Sequence, residues 1–318
     1  MKKIFFIGVI FSCIFKANAQ QQFVFSNYML NEYYYNPALA GSEDVHKASI
    51  GYRNQWAGFE EAPVTMHANF YGSYANMRKH GYGVSLMSDR SGLIQNTNIY
   101  LNYAYHINLT DSIRMGFGVK PGYLQYNVNL YDAQLADPVD DVLTGNILAT
   151  NAIDFGSGIY IYSSKFYVSL SMRHLLGKSV SFTGFNYGLA KHYTAIAGMN
   201  FYSKKKKFVL QPSIMLQYVN PAPPQLSVMM KGTYMNKFWG GLTMRTQDAV
   251  GVVAGVNLWN RLSIGYAFDY SLGEIRTYNY GTHELMLTFI TTKNKPTLDQ
   301  EDEDLNNGIF EENKKKDE

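Results

Sequence analysis

Seven histidines are the side chains best suited to hold a metal or move a proton: His46, His67, His80, His106, His174, His192 and His283. No two stand three or four positions apart, so no helical turn presents a ready pair of ligands. His283-Glu284 lacks the second histidine of an H-E-x-x-H zinc motif. There is no G-x-S-x-G nucleophile elbow, and Gly156-Ser157-Gly158 reads as a small-residue stretch of strand. Gly81-x-Gly83 and Gly116-x-Gly118 lack the third glycine and the following helix of a dinucleotide loop. The pair Asp140-Asp141 offers too few oxygens for calcium and reads as solvated in an outer loop. Cys13 is the single cysteine. The chemistry expected is therefore none: no catalytic residue, no cofactor and no metal. The one enzyme that spacing leaves open is a serine and a histidine assembled from distant strands.

Composition turns attention to what the chain builds instead. Charged residues make up only 17%, the formal net charge is +3, and there are 26 Tyr and 19 Phe. Clustered Lys and Arg on one face, which a nucleic-acid partner needs, are not evident. Met1-Lys2-Lys3, the apolar run Ile4 to Phe15 and Ala17-Asn18-Ala19 read as a secretory signal peptide over residues 1–19, cut before Gln20. The rival is a lipoprotein signal acylated at Cys13, which bulky Phe11 fits poorly. With the cut before Gln20, the mature chain has no disulfide and no thiol chemistry. No later apolar run approaches the ~20 residues of a membrane helix.

Strands alternate their side chains between two faces. Ile99, Leu101, Tyr103, Tyr105 and Ile107 fall opposite Tyr100, Asn102, Ala104 and His106. Phe166, Val168, Leu170 and Met172 fall opposite Tyr167, Ser169, Ser171 and Arg173, and Leu262 to Phe268 repeats the pattern. One face is apolar and the other small or polar, which suits a membrane barrel with a filled or wet interior. A soluble sandwich would alternate apolar with strongly polar residues instead. Read throughout, the pattern predicts an all-β fold: an antiparallel up-and-down transmembrane barrel of about fourteen strands over 45–293.

Short polar turns after even-numbered strands alternate with longer stretches, notably Val128 to Thr150, Leu175 to Tyr187 and Leu272 to Tyr280. The short turns are expected in the periplasm, with both termini, and the long loops outside. Trp239, Trp259, Tyr162, Tyr202 and Tyr234 flank the short turns and are expected to form an aromatic girdle. The polar, Tyr-rich 20–44 segment lacks alternation and forms an N-terminal plug or a periplasmic rim. The 294–318 tail, with an acidic run from Asp299 to Asp304 and Lys314-Lys315-Lys316, is expected to be a disordered periplasmic tail. Anchoring by Leu305, Ile309 and Phe310 would instead let it dock on a partner.

Phe25-Ser26-Asn27-Tyr28, Asn31 and Asn36-Pro37-Ala38-Leu39-Ala40-Gly41 resemble the PorP/SprF family. So do Tyr52-Arg53-Asn54-Gln55-Trp56, Ala62-Pro63-Val64-Thr65, Asp269-Tyr270-Ser271 and Gly281-Thr282-His283-Glu284. The resemblance runs from about Gln22 to Thr291. It implies an outer-membrane barrel of the type IX secretion and gliding-motility apparatus of Bacteroidetes. It also implies a secreted surface client such as an adhesin, and contact with other type IX components, including periplasmic peptidoglycan-linked ones. The alternative function is an outer-membrane channel for small or hydrophobic solutes.

The same motifs have a physical reading. Asn36-Pro37 favours an extended or turn conformation, and Gly41 allows a tight turn before the first strand. A charge on the lipid face costs ~2–4 kcal/mol near the midplane, so Arg53 and Asp269 are expected to point inward. Ser263 and Arg261 share the face of Asp269, where an Arg–Asp pairing is expected. Candidate partner-binding or plug contacts are thus Asn36, Pro37, Gly41, Arg53, Asn54, Gln55, Trp56 and Asp269. The long Val128–Thr150 loop is the expected client surface.

Overall fold

A computed structural model describes residues 24–291 apart from 75–76, 130–146, 178, 183–184, 206 and 260. The signal peptide, Asp140-Asp141, the core of the Val128–Thr150 loop and the 294–318 tail therefore lie outside the described residues.

Alternation is realised as a closed antiparallel wall. Its first half comprises β1 (Lys47–Asn54), β2 (Val64–Tyr74), β3 (Met77–Ser91), β4 (Ile94–Asn108), β5 (Arg114–Asn129), β6 (Ile147–Tyr162) and β7 (Phe166–Arg173). A small hairpin, β8 (Ser179–Phe182) with β9 (Phe185–Gly188), then forms in the loop after β7 and does not join the wall. The second half comprises β10 (His192–Met199) with its continuation β11 (Phe201–Tyr202), then β12 (Phe208–Val219) and β13 (Gln225–Tyr234). It ends with β14 (Phe238–Arg245), β15 (Ala249–Leu258), β16 (Leu262–Ser271) and β17 (Thr282–Ile290). Each strand pairs with its sequence neighbour, β10 skips the hairpin to pair with β7, and β1 pairs with β17 to close the ring. Counting β10 and β11 as one, the wall has the fourteen strands expected.

The period of two sorts the wall strands. In β4, Leu101 is 63% exposed and Ile99, Tyr103 and Tyr105 are exposed with it, while Tyr100, Asn102, Ala104 and His106 are buried. In β14, Leu242 is 66% exposed while Thr243 and Arg245 face in. Such a continuous outward apolar belt is tolerated where lipid, not water, is the solvent. No described helix is long and apolar enough to cross a membrane; the crossing is made by strands.

Two girdle expectations are corrected. Trp259 and Tyr234 do stand outward at the short-turn end, but Trp239 is buried and Tyr162 turns inward. The parity of their strands places both on the interior row. There Trp239 fills space over Gly255 and Gly265, and Tyr162 stacks on Tyr160 with centroids 4.9 Å apart.

Fourteen tilted strands enclose a backbone cylinder about 28 Å across, by strand spacing and tilt. Wall side chains fill the interior of an eight-stranded barrel, not one this wide. Something else must occupy it, or water must.

Candidate functional site

Residues 24–44 run through that interior. Asn27 to Asn31 form turns, with Asn31 N–H donating to Tyr28 O at 3.0 Å. A single helical turn, Glu32–Tyr35, follows. Asn36 is extended (φ −126°), as a residue before proline must be, and caps a 3₁₀ turn at Pro37–Leu39 by accepting from Ala38 N–H at 2.9 Å. Pro37 occupies the first position of that turn, where its missing N–H costs nothing.

The segment touches strands on all sides. Tyr28 shares a 2.8 Å hydrogen bond with Ser213 of β12. Ser26 donates its hydroxyl to Asp269 of β16 at 2.6 Å and its N–H to Glu284 of β17 at 2.9 Å. Lys120 of β5 donates to Tyr34 O at 2.8 Å, and Arg173 of β7 donates to the Tyr34 hydroxyl at 2.6 Å. Asn36 donates to Ser169 Oγ at 2.8 Å and to Ile159 O at 2.9 Å. His106 of β4 meets Ala40 O at 2.7 Å, and Ser73 of β2 donates to Asp44 at 2.9 Å. Tyr33 stacks on Tyr71 at 3.9 Å and bonds Asn102. Burial pushes the Glu32 carboxyl up to about 7, only partly offset by its neighbours.

The wall has been pared back to admit this path. A Cβ on Gly118 would sit 2.3 Å from Ala38 N, and one on Gly158 would sit 2.0 Å from Asn36 Oδ1. A Cβ on Gly81 would sit 1.8 Å from Ala40 O. Gly41 has φ +79°, and its own Cβ would strike Gly81 Cα at 2.7 Å. The tight turn expected of Gly41 is thus also a backbone-to-backbone contact with β3. The paired glycines that fail as nucleotide loops are the seat of the Asn-Pro-Ala-Leu-Ala-Gly stretch.

Near the long-loop end lies a buried charge network. Arg53 is 1% exposed. It donates to Gln55 at 2.7 Å and lies 3.7 Å from Glu284, its register partner across the β1–β17 seam. Asp269 accepts from Arg245 of β14 at 2.9 Å, and Arg245 also pairs with Asp248. Thr65, opposite Arg53 on β2, donates to Asp89 at 2.5 Å. Across the barrel, Asp154 accepts from Tyr100 at 2.8 Å and lies 3.0 Å from His174. No group of His, Cys, Asp and Glu among the described residues is arranged to hold a metal.

The expected residues therefore fall in three places. Asn36, Pro37 and Gly41 belong to the interior segment. Arg53, Gln55 and Asp269 belong to the charge network, with Arg245 as the partner of Asp269, while its face-mate Arg261 is exposed at a turn. Asn54 and Trp56 lie at the loop end, where Asn54 pairs in register with His283 and Trp56 N–H donates to Thr282 Oγ1 at 3.2 Å. Glu284 and Arg173 entered the sequence reading only as part of a motif and of an alternation, not as site residues, and Arg245, Lys120 and Asp154 did not enter it. Their signal was available: each is a charge on the inward parity of its strand.

A closed wall with an outward apolar belt and a polar, charge-paired interior defines an outer-membrane β-barrel. The chain matches the family described as type IX secretion system membrane protein PorP/SprF over residues 17–289, and it belongs to that family. Among solved structures it is similar in fold to the CymD monoaromatic hydrocarbon channel. There the TM-score is 0.50 at 8% identity, covering 86% of this chain and 94% of that one. The Pseudomonas putida toluene transporter TodX gives a TM-score of 0.47 at 10% identity, covering 82% and 93%. Acinetobacter baumannii Omp33 gives 0.45 at 8% identity, covering 78% and 99%. At such identities the likeness is one of fold. No curated protein matches the sequence.

Proposed function

We propose that this barrel is a non-enzymatic part of the type IX secretion and gliding apparatus that assists export or surface anchoring of a large client protein such as an adhesin. The observation that carries the reading is the interior segment. Its residues are hydrogen-bonded to strands on opposite sides of the wall, and glycines are placed to receive it. We read it as a plug. A barrel so filled does not thread a large client through its lumen; it binds the client at its surfaces. Long loops on a rigid scaffold are the natural place for such recognition. The short-turn end, in this reading, faces the periplasm and the peptidoglycan-linked components of the machinery.

The test is recovery of partners from gently solubilised outer membranes with a tagged copy, followed by mass spectrometry. A large surface protein or type IX components among the recovered proteins is the expected result. A barrel that comes back alone, while still folded, overturns the reading and brings the solute-channel alternative forward.

A further inference from the structure

We propose that the acidic run Asp299–Asp304 of this chain's own C-terminal tail docks on the basic rim formed by the short turns that precede β12, β14 and β16. This goes beyond the secretion reading and does not depend on it. Three consecutive turns carry the cations: Lys204, Lys205 and Lys207 before β12, Lys237 before β14, and Arg261 before β16, all exposed. In sequence, residues 203–207, 235–237 and 259–261 contain no acid at all. Elsewhere on the rim, Glu43 is already paired with Lys47 at 2.6 Å, and Asp111 stands in the turn before β5.

The turns form a continuous arc. Met235 N–H donates to Lys207 O at 2.7 Å, Asn257 N–H to Lys237 O at 2.7 Å, and Ile290 N–H to Arg261 O at 2.7 Å. The last of these bonds joins the arc to the root of the tail. Thr291, where the described chain ends, is held at the same rim by its N–H to His46 O at 2.9 Å. Position and charge therefore agree: the tail leaves the wall beside Arg261, and its acids are Asp299, Glu301, Asp302, Glu303 and Asp304.

Reach agrees too. Thr291 to Asp299 is eight residues, which extend to about 26 Å. From β17, which Thr291 follows, to β12 is five strand steps, about 24 Å. Tethering makes docking intramolecular, so several weak exposed pairs suffice where free peptides would not associate. Beside the tail's root, Arg261 and Ile290 also border an interior cavity lined by Glu32, Lys47 and Tyr160. A docked tail would lie across this side of the rim.

The experiment uses the full chain in nanodiscs of zwitterionic lipid, with Cys13→Ser and spin labels at Lys205→Cys and Gln300→Cys. Pulsed distance measurement should show a narrow short-range component that broadens in high salt, because exposed charge pairs are screened. The same component should vanish in a variant combining K204Q, K207Q and K237Q, whose fold is checked by heat-dependent gel mobility. A broad distribution under all conditions overturns the proposal. So does a narrow one that survives both salt and rim neutralisation, and so does one seen only in native membranes, where another protein must supply the contact.

Discussion

The glycines of the wall act by what they lack. Gly118 accepts the backbone of Ala38 at a distance no side chain tolerates. Gly118→Val should therefore unseat the Asn36–Gly41 stretch, with a loss of about 1–3 kcal/mol, the usual range for overpacking. Urea unfolding in detergent measures it, and protease cleavage between residues 30 and 45 should appear at the same time. Glu32 is the opposite case, a group whose presence costs. Its carboxyl is pushed up to about 7 by burial, so the folded state holds a proton that the unfolded state releases. Stability is then full below the ordinary carboxylate value and falls as pH rises toward 7. Glu32→Gln should be more stable than the parent at pH 8, by up to about 3 kcal/mol. Near pH 4 the two should coincide. Unfolding midpoints at the two pH values decide it, and equal differences at both would contradict the assignment.

At the scale of the strand, position along the wall sets the cost of a charge. Leu242 lies in mid-strand on the outward face of β14, while Trp259 stands outward at the turn before β16. Leu242→Arg should cost ~2–4 kcal/mol and Trp259→Arg no more than ~1 kcal/mol, because the penalty decays toward the interface. Refolding into lipid vesicles measures both. The strands were legible because period-two alternation is strong in β4, β7 and β16. The stretches Ile99–Ile107, Phe166–Arg173 and Leu262–Phe268 lie within β4, β7 and β16, and the wall strands all fall within the expected 45–293. What escaped were features alternation does not encode. The four-residue strands β8 and β9 are too short to show a period. Trp239 and Tyr162 were assigned by their nearness to turns, although their parity pointed inward. Within the candidate site, Arg53 and Asp269 were reachable because a charge on a strand has only one affordable side. Arg245 needed knowledge of which strands meet, and the seat for Asn36–Gly41 lay hidden in G-x-G pairs read only as failed nucleotide motifs.

For the molecule as a whole, the central question is whether ions pass. With residues 24–44 in the interior, the intact barrel is expected to show little conductance in planar bilayers. Deleting 24–44 should raise it several-fold, as water enters a cylinder about 28 Å across. Heat-dependent gel mobility confirms that the truncated barrel still closes. Equal conductance with and without the segment would mean that it does not seal the lumen. A high conductance of the intact protein would favour the solute channel instead.

The seam between β1 and β17 has a temporal side. Its two strands are separated by nearly the whole chain, yet they face each other residue for residue from Lys47–Ile290 to Asn54–His283. Pairings so remote in sequence form late, after the entropy of closing a very long loop has been met. The interior segment is bonded to one flank of that seam: Ser26 reaches Glu284 of β17, and Arg53 of β1 stands beside the same carboxylate. The interior segment thus places one of its bonds at the junction that the chain is slowest to make.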